Sequence, residues 1–155
     1  PVHIDVIEIL KQKADDFQLL AESDGKTLEI NFQPSGFMAT LQVSLLNQII
    51  QNFLQNALKF TAKEKKIILR SSQDDVGLLI EVIDEGCGID DSIDLFAPFK
   101  RQGNKPGVGL GLFLAKSAAD ALGAKISLEN RNDGIDGTVA SLQLNSKLSC
   151  ILPRA

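Results

Sequence analysis

Asn52 and Asn56 stand four residues apart in the run QNFLQNALKF, with Lys59 and Phe60 just beyond. That spacing is close to one helical turn, so both amides and the lysine fall along one stripe of an otherwise apolar helix. An Asn side-chain carbonyl is a short, neutral, hard oxygen of the kind Mg²⁺ accepts, and a lysine offers a point charge to phosphate oxygens. Taken alone, such a stripe reads as the solvated face of an amphipathic helix. Asn is a poor helix former, however, so its repetition here asks for a ligand.

Three further runs carry chemistry. In Asp84-Glu85-Gly86-Cys87-Gly88-Ile89 an acid ends an apolar strand and glycines follow at alternate positions. A carboxylate there can accept a hydrogen bond from an exocyclic amine such as adenine N6, and glycines let a flat base lie against the backbone. The plain alternative is a tight turn. Gly107-Val108-Gly109-Leu110-Gly111-Leu112 opens a helix, whose free N–H groups and partial positive charge suit phosphate. An irregular loop precedes it rather than a strand, which rejects a dinucleotide-binding strand–turn–helix unit. In Leu95-Phe96-Ala97-Pro98-Phe99-Lys100-Arg101, two phenylalanines can anchor a loop while Arg101 reaches phosphate. Each run is weak alone; their order and spacing together describe a nucleotide site.

The elements that must position these residues can be read from the period of the apolar residues. Asp5 with Glu8 predicts a capping box opening a helix, on which Ile7, Leu10, Ala14, Phe17 and Ala21 recur before Gly25. Strands are expected over Thr27–Phe32 and, briefly, Phe37–Thr40, and a second helix over Ser44–Phe60. Lys66–Ser72 and Leu78–Asp84 read as a hairpin, Leu110–Leu122 as a third helix ended by Gly123, and Ala124–Glu129 with Thr138–Leu144 as a strand pair. Strand pairs separated by helices predict an α+β fold, a two-layer sandwich with a mixed, largely antiparallel sheet covered on one face by three helices.

Composition bounds the rest. The 155 residues, 44% hydrophobic and 23% charged, suit a single domain over 1–155. A net charge of −4 with scattered basic residues gives no reason to expect nucleic acid as a partner. No apolar run is long enough to span a bilayer, so no membrane contact is expected of this domain. The chain starts at Pro1 without an initiator Met and is expected to be a piece of something longer. Cys87, Cys150 and His3 form no metal-ligand pattern, and a reducing cytoplasm is the natural compartment.

The set of motifs resembles the catalytic ATP-binding domain of bacterial two-component sensor histidine kinases, within the wider superfamily that holds gyrase, Hsp90 and MutL. QIIQNFLQNALKFT looks like its N box, DEGCGI and GVGLGL like its two glycine boxes, LFAPFKR like its F box, and Gly137-Thr138 like its late Gly-Thr pair. The resemblance covers nearly the whole chain and implies the Bergerat-type ATP-binding fold, with ATP and Mg²⁺ as ligands. It implies that Asn56 binds Mg²⁺, that Asn52, Lys59 and Arg101 serve the phosphates, and that Phe60 lies by adenine. Asp84 would read the adenine amine. Gly86, Gly88, Ile89, Gly107, Val108, Gly109, Leu110, Gly111, Leu112 and Thr138 would line base and phosphate, with Gln102–Pro106 as a short lid.

Hydrolases of the superfamily place a general-base Glu where this chain has Asn52. An amide takes no proton, which favours the branch that hands the γ-phosphoryl to a histidine, itself a nucleophile. The acceptor would sit on a separate helical dimerisation domain, absent here, with a response regulator downstream. His3 lacks the acceptor's flanking acid and proline, so autophosphorylation in isolation is not expected. A nucleotide-independent docking module and an ATP hydrolase are the alternatives. Cys87 in the glycine box reads as a small packed residue, and Leu148–Leu152 has no place in the pattern.

Overall fold

The computed structural model describes residues 1–90, 92, 94–97 and 110–146. Arg101, Gly107, Val108, Gly109, the segment Gln102–Pro106 and the segment Leu148–Leu152 lie outside the described residues. In chain order the elements are β1 (Val2–Asp5), α1 (Val6–Ser23), β2 (Thr27–Phe32), β3 (Met38–Leu41), α2 (Val43–Phe60), β4 (Lys66–Gln73), β5 (Gly77–Asp84), α3 (Gly111–Leu122), β6 (Lys125–Asn130) and β7 (Thr138–Asn145).

Five strands form one sheet in the order β2-β4-β5-β7-β6. Only β2–β4 is parallel; β4–β5, β5–β7 and β6–β7 are antiparallel. The expected mixed, largely antiparallel α+β sandwich is therefore the fold. Leu78, Ile80 and Val82 of β5 and Ala140, Leu142 and Leu144 of β7 are buried at alternate positions, the period-two pattern of a sheet with one covered face. Helices cover that face: α1 packs on β2, α2 on β5 and α3 on β6, while α2 and α3 also pack on each other. Leu46, Ile49, Ile50, Phe53 and Leu54 of α2 are buried at the centre of the resulting core.

Asp84 has the same parity as Leu78, Ile80 and Val82, so its side chain falls on the helix-covered face. The β5–β7 ladder stops at Ile83–Val139, one residue short of it. The strand end thus delivers a carboxylate between sheet and helices, where the two strands part.

The strand-like start of the chain is β1, whose antiparallel pairing with β3 the sequence does not encode. His3 lies there, its Nδ1 3.2 Å from the Thr40 hydroxyl. The α1 cap also differs from the expected box. Asp5 Oδ1 accepts from Ile7 N–H at 3.0 Å, but its second donor is Phe37 N–H at 2.9 Å, and Glu8 instead accepts from Lys11. One carboxylate therefore starts α1 and fixes the approach to β3.

The C-terminal end of α2, which carries Lys59 and Phe60, is held from outside the helix. Lys26 Nζ donates to the Leu58 carbonyl at 2.5 Å and pairs with Asp24, whose carboxyl is held below its ordinary range by that lysine. A cation on a last-turn carbonyl also complements the helix dipole. Lys26→Met should lower stability by about 1–2 kcal/mol, read as a lower urea midpoint with an unchanged slope.

Candidate functional site

Helix α2 is the wall from which the site is built. Asn52, Asn56, Lys59 and Phe60 are all half-buried on it, beside the fully buried row Ile49, Phe53 and Ala57. The helix thus sinks its apolar side in the core and leaves a polar stripe at the margin. Lys59 Nζ sits 5.7 Å from the centre of the Phe60 ring, which draws the ammonium back over the helix end.

Both glycine motifs meet this stripe. Gly111 opens α3, and a Cβ built on it would come within 3.0 Å of Asn52 Oδ1. Gly111, in the described part of the second glycine box, therefore lies against the first of the paired amides. Leu110 precedes it as the helix-capping residue and makes no side-chain cap hydrogen bond; a helix N-terminus of this kind points N–H groups and partial positive charge outward. At the other end of the stripe a Cβ on Gly86 would stand 2.8 Å from the Phe60 carbonyl oxygen. Only glycine lets the first box approach α2 this closely.

Asp84 is the site's buried charge, 8% exposed. Its Oδ1 accepts from Gly86 N–H at 2.9 Å and from Thr138 N–H at 3.0 Å. Thr138, of the late Gly-Thr pair, is buried with it, so sequence positions far apart converge on one oxygen. Burial pushes the carboxyl above its ordinary range; the two N–H groups, and the Arg131 guanidinium, pull the other way. With Oδ1 fixed by two donors, Oδ2 is the oxygen left to accept from a ligand. An exocyclic amine satisfies it without adding charge. Gly137 explains the neighbouring glycine: a Cβ there would run into the Asp84 carbonyl oxygen.

The loop after Asp84 is tied on its far side. Gly88 has φ +83°, a left-handed conformation natural to glycine. Ile89 is held through both its N–H and its C=O by the Asn130 amide, at 2.7 and 3.1 Å. Arg131 Nη1 donates to the Asp84 carbonyl at 3.1 Å, and its other nitrogens grip Asp133. Neither Asn130 nor Arg131 stood out in the sequence, where Asn-Arg-Asn-Asp-Gly reads as a polar turn. Of the F box, Leu95 is buried while Phe96 and Ala97 are half-buried, so the described anchor is the leucine more than the phenylalanine. Cys87 is exposed.

The donor set fits a nucleotide with a divalent cation better than a caged metal. Among the described residues no cluster of three or more His, Cys, Asp or Glu side chains can hold a metal ion. A neutral amide oxygen at Asn56 suits Mg²⁺ that keeps phosphates and water in its shell. The N-terminus of α3 beside Asn52 suits phosphate, and Asp84 Oδ2 suits an amine at the opposite end.

The family model described as histidine kinase-, DNA gyrase B-, and HSP90-like ATPase matches residues 42–148. The chain belongs to that family. Its relatives are sensor kinases. Sensor protein TorS of Escherichia coli (strain K12) is 45% identical over 85 residues, 53% of this chain and 9% of TorS. Sensor protein kinase PilS of Pseudomonas aeruginosa is 29% identical over 142 residues, 86% of this chain and 26% of PilS. The chain thus spans about a quarter or less of these relatives. The catalytic domain of histidine kinase ThkA superimposes with a TM-score of 0.83 at 21% identity, covering 94% of this chain and 95% of that one. The mycobacterial sensor histidine kinase MprB superimposes with a TM-score of 0.82, also at 21% identity, covering 93% of this chain and 96% of that one. At those identities the match establishes the fold of this ATPase-family domain.

Proposed function

We propose that this ATPase-family domain binds Mg·ATP and donates the γ-phosphoryl group to a histidine on a separate helical dimerisation domain of a two-component sensor kinase. The observation that carries the reading is the convergence on α2: one helix borders the base-reading carboxylate at its Phe60 end and the phosphate-facing turn of α3 at Asn52.

In this reading Asp84 accepts from the adenine amine through Oδ2 while its Oδ1 stays bound to Gly86 and Thr138. Phe60, Gly86, Gly88 and Ile89 frame the base. Asn52 and the α3 terminus, with Gly107, Val108, Gly109, Leu110, Gly111 and Leu112, meet the phosphates, and Lys59 and Arg101 add positive charge. Asn56 holds Mg²⁺, which when bound neutralises phosphate charge. The residues bind and orient, so the domain contributes positioning and electrostatics rather than proton abstraction.

Asn52 sets what the domain does with its nucleotide. It is half-buried against Gly111, and an amide there cannot deprotonate water or a serine hydroxyl. The accepting imidazole needs no such base. The parent kinase would carry the acceptor, pass the phosphoryl group to a response regulator, and present this domain to the cytoplasm, a reading that the similarity to sensor kinases supports. Among the described residues no helix is long and apolar enough to cross a membrane.

Incubated with Mg·ATP, the chain should release phosphate no faster than buffer. Mixed with a helical-hairpin domain bearing an acceptor histidine, it should label that histidine with acid-labile phosphate. Steady phosphate release by the chain alone would contradict the role given to Asn52.

A further inference from the structure

The end of β6 and the turn after it make three polar contacts with the end of β5 and the loop after it. Asn130 Oδ1 accepts from Ile89 N–H at 2.7 Å and Asn130 Nδ2 donates to Ile89 C=O at 3.1 Å. One amide thus grips both backbone groups of one residue, as a neighbouring strand would. The next residue, Arg131, is half-buried with its side chain largely covered, and it donates from Nη1 to the Asp84 carbonyl at 3.1 Å. Between these two ties lie Gly86 and Gly88. Gly88 is fitted to the grip, since a Cβ on it would come within 2.6 Å of Asn130 Oδ1.

The residues held this way are those that frame the base. Asp84 presents Oδ2, and Ile89 ends the loop. Near the strand end the loop is tied through Glu85, which accepts from Lys66 N–H, and through Gly86 N–H on Asp84 Oδ1; the Asn130 amide adds a hold on both backbone groups of Ile89 before a ligand arrives. Asn130 itself is exposed, and both ends of its amide are spent on the Ile89 backbone. Its effect is therefore exerted through Ile89 and not by contact with a nucleotide.

We propose that Asn130, supported by Arg131, is a positioning residue that pre-organises the base-reading loop Asp84–Ile89 for adenine nucleotides. The proposal rests on the ATP-binding reading above. Its distinguishing mark is that loss of the grip weakens nucleotide binding while the sheet and helices stay as they are. Each contact is an ordinary hydrogen bond, so losing the pair should weaken Mg·ATP binding about tenfold.

The test uses the 155-residue chain with Asn130→Ala and Asn130→Asp. The aspartate variant keeps the acceptor for Ile89 N–H but sets an oxygen against Ile89 C=O, and its size protects the fold if the alanine variant is unstable. Amide hydrogen exchange and calorimetric titration with Mg·ATP are read together. The expected result has three parts. Ile89 N–H loses protection in Asn130→Ala while β5 and β7 amides keep theirs. The dissociation constant rises about tenfold in both variants. The thermal midpoint of the unliganded chain stays within a few degrees of wild type. Unchanged Mg·ATP affinity in either folded variant would overturn the positioning role, as would a uniform loss of protection across β5 and β7. Failure of the wild-type chain to bind Mg·ATP would instead remove the reading of function itself, and the two failures are told apart by the wild-type titration.

Discussion

Asp84→Asn should abolish measurable ATP binding while leaving the domain folded. The new amide keeps its oxygen toward Gly86 N–H and Thr138 N–H, which now hold Asp84 Oδ1 at 2.9 and 3.0 Å. Its NH₂ group must then occupy the place of Oδ2 and, in the proposed binding mode, point a donor at the adenine amine. A site built to accept from an amine and forced to donate leaves two buried donors facing each other, and affinity should fall about a thousandfold or more. A 6-oxo purine nucleotide presents an acceptor there, so discrimination between ATP and GTP should shrink or invert. Isothermal titration with both nucleotides, next to a thermal melt of the unliganded variant, checks it.

The same residue gives a pH dependence with a definite sign. Burial raises the Asp84 carboxyl above its ordinary value, against the pull of Gly86, Thr138 and Arg131. Between the unfolded and folded values the folded chain binds more protons, so this group's contribution to stability falls as pH rises through that window. Asp84→Asn removes that slope and should be no less stable than wild type at neutral pH. Nucleotide affinity runs the other way. It should rise with pH through the folded value, because a proton on Oδ2 turns the needed acceptor into a donor.

Asn56→Asp should weaken Mg·ATP binding about a hundredfold, because a new anion on the half-buried stripe faces the triphosphate in a medium of reduced dielectric. A repulsion of this size exceeds what one extra ligand charge for Mg²⁺ returns when the phosphates already supply negative oxygens. In chelator the wild type should lose most of its affinity, whereas the variant has little left to lose. Equal chelator sensitivity in the two proteins, with equal affinity in Mg²⁺, would remove Asn56 from the cation site.

The sequence made much of this arrangement legible because the site is local in its signals. Asn52, Asn56 and Lys59 repeat at the helical period, and α2 places them on one stripe beside the core row Ile49, Phe53 and Ala57. Asp84 is the last residue of an apolar strand, and parity alone carries its side chain to the covered face. Strand pairs that follow each other in sequence, β4–β5 and β6–β7, were readable from their turns. What escaped reading was non-local. The parallel pairing of β2 with β4 and the small β1–β3 sheet join segments with a helix between them, and no period in either strand encodes the partner. Asn130 and Arg131 escaped for the same reason. Their meaning lies in contacts to Ile89 and Asp84 some forty residues away, and in sequence they are two polar residues at the start of a turn. The box expected at Asp5 and Glu8 failed for a physical reason, since Asp5 had a second backbone donor at Phe37 to satisfy.

The central claim is that a buried carboxylate, two glycine boxes and the Asn52–Asn56 stripe form one Mg·ATP site on α2. Calorimetric titration of the 155-residue chain with ATP, in Mg²⁺ and again in chelator, tests it most directly. The predicted result is saturable one-to-one binding that prefers ATP to GTP and weakens at least about tenfold without Mg²⁺. Absence of binding in Mg²⁺, or binding indifferent both to the base and to the cation, would contradict it.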